Sequence, residues 1–282
     1  MQLVTEPQDF QRLALQARCA GRVTSLVPTM GYYHEGHLSL MRWARENSDF
    51  LLVSLFLNPA QFGPGEDLQS YPRDFERDQE LARQQGADVL FAPQAEQMYP
   101  AGFDTWVEVR GLGSYLCGKS RPGHFQGVCT VVSKLFNLAL PSLAVFGQKD
   151  WQQLAIIKQM AKDLSLPVQV VGRPIVREQD GLAMSSRNSY LDPEQRRQAS
   201  GISAGLRQAQ DWVAKGCRSR TELLAGLQEF YQEQIPAGQI DYLELVHPQW
   251  LSPVEEVHGQ ALLAVAVYLG RARLIDNILL EG

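Results

Sequence analysis

The residues best placed to do chemistry are two histidines, His34 and His37, in the segment PTMGYYHEGH at residues 28–37. The apolar run at residues 23–27 predicts a buried strand, and the apolar spacing over residues 37–47 predicts a helix. The free backbone N–H groups and the dipole of a helix N-terminus attract anions. Two imidazoles at that point can donate hydrogen bonds to phosphate oxygens, so the segment predicts an anion site.

The same two histidines do not predict a zinc site. The sequence HEGH lacks the i, i+4 spacing of HExxH, which places both ligands of a metalloprotease on one helix face. The cysteines are widely spaced and contain no C-x-x-C pair, which indicates reduced thiols rather than a disulfide scaffold or a zinc centre. These cysteines are Cys19, Cys117, Cys129 and Cys217. We therefore exclude a metalloprotease.

Two further polar segments follow predicted buried strands. The strand at residues 50–57 runs into NPAQF at residues 58–62, where an amide could bind a small polar ligand, although Asn-Pro is also a common turn signal. The strand at residues 143–147 runs into QKD, where Lys149 could hold a phosphate and Asp150 could bind Mg²⁺ on that phosphate. The alternative is a solvated helix start with the aspartate as its N-cap.

Two loops supply more cationic and hydroxyl groups. AMSSRN at residues 183–188 offers two serines and Arg187 as a phosphate clamp, or else is simply a serine-rich loop. RPGHF at residues 121–125 places a cation and an imidazole before a long apolar helix predicted at residues 125–140. The sequence contains neither a Walker motif nor G-x-G-x-x-G. In combination, the five segments carry the groups needed for phosphate-transfer chemistry without a covalent nucleophile.

The elements that must position these groups alternate between short apolar strands and helices. That alternation predicts a doubly wound, Rossmann-like α/β domain over residues 1–172, with ligands at the carboxyl ends of its parallel strands. Residues 173–282 predict a smaller α+β domain. Its helices are expected from Asp192-Pro193 and over residues 221–234, followed by two or three strands.

Composition limits the class of protein. The 282 residues are 45% hydrophobic and 20% charged, with a net charge of −5, which is ordinary for a globular protein and argues against a broad nucleic-acid surface. Residues 173–282 carry 11 Lys and Arg against 14 Asp and Glu, so the smaller domain is not an obvious RNA-binding appendage. No signal-peptide pattern and no apolar run of about 18 residues occurs, which predicts a cytoplasmic protein without a membrane partner.

The motifs together resemble those of the pantothenate synthetase (pantoate–β-alanine ligase) family, within the HIGH-motif nucleotidyltransferase superfamily. The resemblance covers nearly the whole chain, and the matching segments occur in the family's order. They are residues 28–31 with 34–37, 58–62, 121–125, 147–150 and 184–187. Two departures are visible: Tyr32 and Tyr33 replace a smaller or aliphatic pair, and Gln148 stands where glutamate is also common in the family.

The resemblance implies a two-step reaction. ATP and (R)-pantoate would form an enzyme-bound pantoyl adenylate and diphosphate, and β-alanine would then attack the adenylate to give pantothenate and AMP. It further implies Mg²⁺ bound with the ATP phosphates, with Asp150 as the candidate protein ligand. A homodimer is also implied, and the smaller domain or the loop at residues 63–71 is a candidate lid over the intermediate.

The resemblance also implies which residues bind each substrate. The expected ATP site comprises Met30, Gly31, Tyr32, Tyr33, His34, Glu35, Gly36, His37, Gly147, Gln148, Lys149, Asp150, Val176, Met184, Ser185, Ser186 and Arg187. Pantoate would be held by Gln61 and Gln153, with Gln61 also near β-alanine. The expected catalytic residues are His34, His37, Lys149 and Arg187. His37 is the family's proton donor, and we interpret it as a charge-stabilising donor because diphosphate leaves without needing a proton.

Two other functions remain open at this point. One is another adenylyl-transferring enzyme of the superfamily, such as a cytidylyltransferase or a fragment of an aminoacyl-tRNA synthetase. The acidic smaller domain disfavours the synthetase because it lacks a visible tRNA-binding patch. The other is a nucleotide-binding regulator without catalysis, against which the intact histidines, Lys149 and Arg187 count.

Overall fold

A six-stranded parallel sheet forms the first part of the molecule, which is described here from a computed structural model covering all 282 residues. Its strands are β1 (Gln2–Val4), β2 (Thr24–Thr29), β3 (Phe50–Leu55), β4 (Val89–Phe91), β5 (Leu143–Gly147) and β6 (Gln169–Arg173). They lie in the order β1-β4-β3-β2-β5-β6. The central strands are almost entirely buried, as expected for a parallel sheet covered on both faces.

Seven helices accompany this sheet. They are α1 (Pro7–Cys19), α2 (Glu35–Glu46), α3 (Phe75–Gln84), α4 (Ala95–Met98), α5 (Leu116–Ser120), α6 (His124–Ala139) and α7 (Trp151–Asp163). Helix α2 begins two residues before the predicted start, because His34 adopts the extended backbone of an N-cap. Apolar cores fill both faces of the sheet: α1 and α6 pack on one side, where Phe10 stacks on Phe91, and α2 packs on the other.

A three-stranded antiparallel sheet and two helices form the C-terminal part. The elements are α8 (Pro193–Ala214), α9 (Arg220–Gln234), β7 (Gly238–Val246), β8 (Gln260–Leu269) and β9 (Ala272–Glu281). Asp192 caps α8 by accepting a hydrogen bond from the backbone N–H of Gln195, and proline occupies the first helical position, as predicted. The predicted fold class, a Rossmann-like parallel sheet with a smaller α+β unit, is confirmed. No helix is long and apolar enough to cross a membrane.

The strand order places the predicted site segments next to one another. β2 lies between β3 and β5, so the chain leaves three adjacent strands at the same edge of the sheet. The turns that follow are the segment before α2, the 3₁₀ turn Pro59–Gln61 and the 3₁₀ turn Gln148–Asp150. A further 3₁₀ turn, Ser186–Tyr190, faces them after β6. The fold therefore assembles one cleft from segments that are far apart in sequence.

Candidate active site

A cavity of about 200 Å³ opens at this edge of the sheet. Most of the predicted site residues line it. They are Met30, His34, Gly36, His37, Gln61, Gly147, Lys149, Asp150, Gln153, Val176, Met184, Ser185, Ser186 and Arg187. A second cavity of about 340 Å³ continues toward the C-terminal sheet and shares Lys149, Asp150, Gln153, Ser185 and Arg187 with the first. The shared residues make one continuous cleft between the two sheets.

The two histidines are locked by the start of α2. The His34 ring accepts a hydrogen bond at Nδ1 from the backbone N–H of Gly36 (3.1 Å), and His37 Nδ1 accepts one from the backbone N–H of His34 (3.3 Å). A Cβ atom at Gly36 would lie only 2.8 Å from the His34 ring, so glycine is required for this cap. Because each Nδ1 is an acceptor, the proton of each neutral ring sits on Nε2. Both histidines therefore keep one N–H donor for a ligand.

The electrostatics of the cleft keep these histidines neutral. Burial, followed by the nearby charge of Lys149, lowers the pKa of His34 to about 4. Burial and the neighbouring His34 hold the pKa of His37 well below its ordinary value. Of the four expected catalytic residues, only Lys149 and Arg187 therefore carry positive charge at neutral pH. The histidines contribute hydrogen-bond donors rather than charge.

A buried carboxylate shapes the turn before the histidines. Gly31 and Tyr32 have positive φ angles, +90° and +51°. Asp78, on α3, accepts hydrogen bonds from the backbone N–H groups of Tyr32 and Tyr33 and so fixes this left-handed turn. A Cβ atom on Gly31 would approach the Asp78 carboxylate to 3.0 Å. Asp78 is 1% exposed, and burial raises the pKa of its carboxyl group.

Five predicted ATP-site residues lie outside the lining of both cavities. They are Gly31, Tyr32, Tyr33, Glu35 and Gln148. Tyr33 is buried in the core beside α2, with a hydrogen bond between its hydroxyl group and Thr29. Glu35 instead forms a surface ion pair with Arg42. The side chains of Tyr33 and Glu35 therefore have partners outside the cleft, and the assignment of these five residues to the ATP site stays a prediction.

The predicted pantoate residue Gln61 is held by its neighbours. Its side-chain Nε2 donates to Met30 Sδ at 2.8 Å, and Asn58 donates to its Oε1 at 3.2 Å. Asn58 also donates to the carbonyl of Gly127, and its own oxygen accepts from Tyr99. Both ends of the Asn58 amide are therefore engaged within the protein. Asn58 positions Gln61 and is not itself a free ligand-binding amide.

The cations face the histidines across the cleft. Lys149 Nζ lies 3.8 Å from Asp150 Oδ2 and has no other ion pair. Arg187 forms a paired interaction with Asp67, with Nε and Nη2 each 2.9 Å from a carboxylate oxygen. Burial alone would raise the pKa of Asp67, but the guanidinium outweighs it and the pKa lies below its usual value. Arg187 is therefore paired with a carboxylate of the loop 63–71.

Three residues of that loop, which sequence reasoning did not single out, contact the predicted site segments. Besides Asp67, Glu66 accepts from Arg121 Nε at 2.7 Å, and the Tyr71 hydroxyl lies 2.8 Å from Ser186 Oγ. The predicted segment at residues 121–125 thus contributes to the cleft through an ion pair with the loop. The only sequence signal for these residues is the presence of acidic residues in a loop that contains glycine and proline, because their partners are distant in sequence.

Comparison with known proteins shows the family to which this chain belongs. The family model described as pantoate-beta-alanine ligase matches residues 2–279. The chain belongs to the pantoate-beta-alanine ligase family. A pantothenate synthetase of Oleidesulfovibrio alaskensis is 62% identical over 280 residues, covering 99% of this chain and all of that protein. Another, of Acetivibrio thermocellus, is 49% identical over 281 residues and covers both proteins completely.

Solved structures of pantothenate synthetases have the same fold. A structure from Thermus thermophilus superposes with a TM-score of 0.93 at 44% identity, covering 99% of both chains. A pantoate-beta-alanine ligase of Francisella tularensis, complexed with beta-gamma ATP and beta-alanine, superposes with a TM-score of 0.81 at 32% identity, covering 99% of this chain and 97% of that one. The chain is therefore an enzyme of the ligase class. The cytidylyltransferase, tRNA synthetase and regulator hypotheses are wrong.

Proposed function

We propose that this ligase condenses (R)-pantoate with β-alanine at the expense of ATP, through a pantoyl-adenylate intermediate. The observation that carries the proposal is the single cleft in which two Nε2–H donors, Lys149 and Arg187 surround space adjoining Gln61 and Gln153. The Francisella relative, which carries a nucleotide and beta-alanine together, supports ATP and β-alanine as substrates here.

In the first step, a carboxylate oxygen of pantoate attacks the α-phosphorus, and the bond to the diphosphate oxygen breaks with its electron pair. Negative charge grows on the phosphate oxygens. His34 and His37 donate from Nε2 to those oxygens, while Lys149 and Arg187 supply positive charge. Preorganised donors of this kind stabilise a transition state because they need no reorganisation when the charge appears.

In the second step, the β-alanine amine attacks the acyl carbon, AMP leaves with the electron pair, and the amine nitrogen gives up a proton. Gln61 and Gln153 would hold pantoate through both steps. The amide of Gln61 is pre-oriented by Asn58 and Met30, so its geometry does not depend on the ligand. Fixing the two reactants in this way lowers the entropy barrier of the step.

The cleft also fits Mg²⁺ bound with ATP. Asp150 is the one carboxylate in the lining of the smaller cavity, and no group of three or more His, Cys, Asp or Glu forms an all-protein metal cage. Mg²⁺ is commonly held by one or two carboxylates, substrate phosphates and water. Asp150 would hold the ion at the phosphates, where the metal would neutralise phosphate charge.

The loop 63–71 is the proposed lid. The Asp67–Arg187 pair would exchange for a phosphate–Arg187 pair when ATP binds, and the loop would then shield the adenylate from water. The alternative lid, residues 173–282, contributes Met184–Arg187 to the same cleft. The expected homodimer, the cytoplasmic location and the absence of nucleic-acid and membrane partners stay predictions.

Diphosphate release tests the proposed function. We expect release from ATP with (R)-pantoate alone, at most one equivalent in a fast phase, and continuous turnover to pantothenate and AMP when β-alanine is added. Release that requires a different acid would overturn the substrate assignment. ATP binding without release under any of these conditions would overturn the proposed reaction.

A further inference from the structure

Strand β9 carries two polar residues into an otherwise apolar interior. Asp276 and Asn277 are 3% and 5% exposed, within the sequence LIDNILL. Buried polar groups are costly unless they are hydrogen-bonded, so each of these side chains needs a partner. Both find one in the cleft wall, at the 3₁₀ turn Gln148–Asp150 and at the segment leading to Met184.

Asn277 holds the turn that carries Lys149 by two hydrogen bonds. Its side-chain Nδ2 donates to the backbone carbonyls of Gln148 (3.0 Å) and Lys149 (2.9 Å). One amide nitrogen thereby fixes two successive peptide planes. The Lys149 ammonium has only a long contact with Asp150, at 3.8 Å, so its own side chain does not anchor it. The backbone of the turn therefore determines where the ammonium lies.

Asp276 helps to orient Asn277 for these hydrogen bonds. Its carboxylate accepts from both terminal nitrogens of Arg177, at 2.6 and 3.0 Å, and from the backbone N–H of Asn277 at 2.8 Å. Arg177 also donates to the carbonyl of Gly181, in the segment that leads to Met184. One short stretch of β9 thus ties together both phosphate-facing segments of the cleft.

We propose that Asn277 is a positioning residue for the nucleotide, which acts through Lys149 without itself binding the phosphates. The inference rests on the proposed function, because it gives Lys149 the task of holding the triphosphate. Loss of the amide would leave two carbonyls without their donor, and the turn would shift to find other partners. Lys149 would then be displaced from the phosphates, while the pantoate residues after β3 and on α7 would stay in place.

The test is ATP binding by calorimetry and diphosphate release in four proteins: the wild type, Asn277→Ala, Lys149→Ala and the double variant. We expect Asn277→Ala to weaken ATP binding and to lower kcat/KM for ATP at least about tenfold, with KM for pantoate changed less than about twofold. In the Lys149→Ala background the same substitution should cost less than about twofold, because two residues that act through one interaction are not additive.

Two further variants separate positioning from folding. Asn277→Asp keeps the size but turns a second oxygen toward two carbonyls, so it should weaken ATP binding at least as much as alanine. Asn137→Ala removes a similar amide on α6, which donates to Ser133 away from the cleft, and should leave ATP binding unchanged. Thermal unfolding of each variant shows whether the native fold persists.

The outcomes distinguish the inference from the proposed function. Wild-type ATP binding by Asn277→Ala, or equal losses from this substitution with and without Lys149, would overturn the positioning role. A parallel rise in KM for pantoate would overturn it as well, since that indicates general damage to the cleft. ATP binding by the wild type without diphosphate release would refute the proposed reaction while the binding comparison still decides the role of Asn277.

Discussion

The two sides of the cleft hold their ligand-binding groups in different ways. The histidine face, formed by His34, His37 and the start of α2, is neutral and fixed by hydrogen bonds within four residues of sequence. The arginine face, formed by Asp67 and Arg187, is charged and joined across 120 residues. Local hydrogen bonds hold one face, whereas a long-range internal ion pair holds the other.

The histidine face is preorganised, whereas the arginine face would bind a ligand by exchanging one anion for another. Donors on the histidine face need no rearrangement, so they can favour the transition state as soon as charge develops. On the proposed function, Arg187 would instead exchange Asp67 for a phosphate, so its net contribution would be the difference between its interactions with the two anions. A charged group stored on an internal carboxylate avoids the penalty of an unpaired buried charge. On the proposed function, the arginine face would therefore link ligand binding to movement of the loop 63–71.

Removing Arg187 should have the largest effect. Loss of one donor to developing charge typically costs about 10²–10³-fold in kcat, and Arg187→Ala should lower the rate of diphosphate release by that order. Arg187→Lys should recover only part of it, because an ammonium cannot form the paired geometry of a guanidinium. Stopped-flow measurement of diphosphate release checks both.

The surface variant Arg12→Ala is the control, since that side chain is 57% exposed in an ion pair with Asp9. Near-normal release by Arg187→Ala would mean that the arginine face is structural only, and the contrast between the two faces would fail.

Neutralising Asp67 should have a smaller and opposite effect. Asp67→Asn keeps the shape of the side chain but removes the anion that competes with phosphate for Arg187. For a partly exposed ion pair worth about 1 kcal/mol, KM for ATP should fall roughly fivefold. Initial rates at varied ATP measure this change.

Glu66→Gln is the matched comparison, because Glu66 pairs with Arg121 instead of Arg187. An unchanged or higher KM for ATP in Asp67→Asn would show that Asp67 does not compete with the nucleotide.

Sequence alone predicted what depends on local pattern. The strands predicted at residues 23–27, 50–57 and 143–147 match β2, β3 and β5, because buried parallel strands are nearly continuous apolar runs. β1 was missed, since it has three residues and two of them are exposed. The meeting of the segments that follow β2, β3 and β5 was predictable because parallel strands direct all their carboxyl ends to one edge.

What sequence could not predict depends on contacts between distant residues. Asp78 meets Tyr33 across 45 positions, and Asn277 meets Lys149 across 128. The neutrality of the histidines was equally hidden, because it arises from burial and from Lys149. One signal was available: the pair Asp276-Asn277 interrupts an apolar strand, and such a pair indicates buried polar partners.

The smallest expected effect is on the pH dependence of stability, which tests whether the histidine face is neutral. Because the pKa of His34 in the folded protein is about 4, against about 6.5 in the unfolded chain, the unfolded chain holds more protons between these values. The free energy of unfolding should therefore fall as pH decreases below about 6.5, by at most about 1.4 kcal/mol per pH unit for each such histidine.

His34→Asn retains a good N-cap but removes the titrating ring, so it should reduce this slope. Urea unfolding between pH 7 and pH 5 measures the two slopes, which should differ by the uptake of about one proton on unfolding. Equal slopes for the wild type and His34→Asn would show that His34 binds a proton as readily in the folded protein as in the unfolded chain, and the histidine face would then become charged below about pH 6.5.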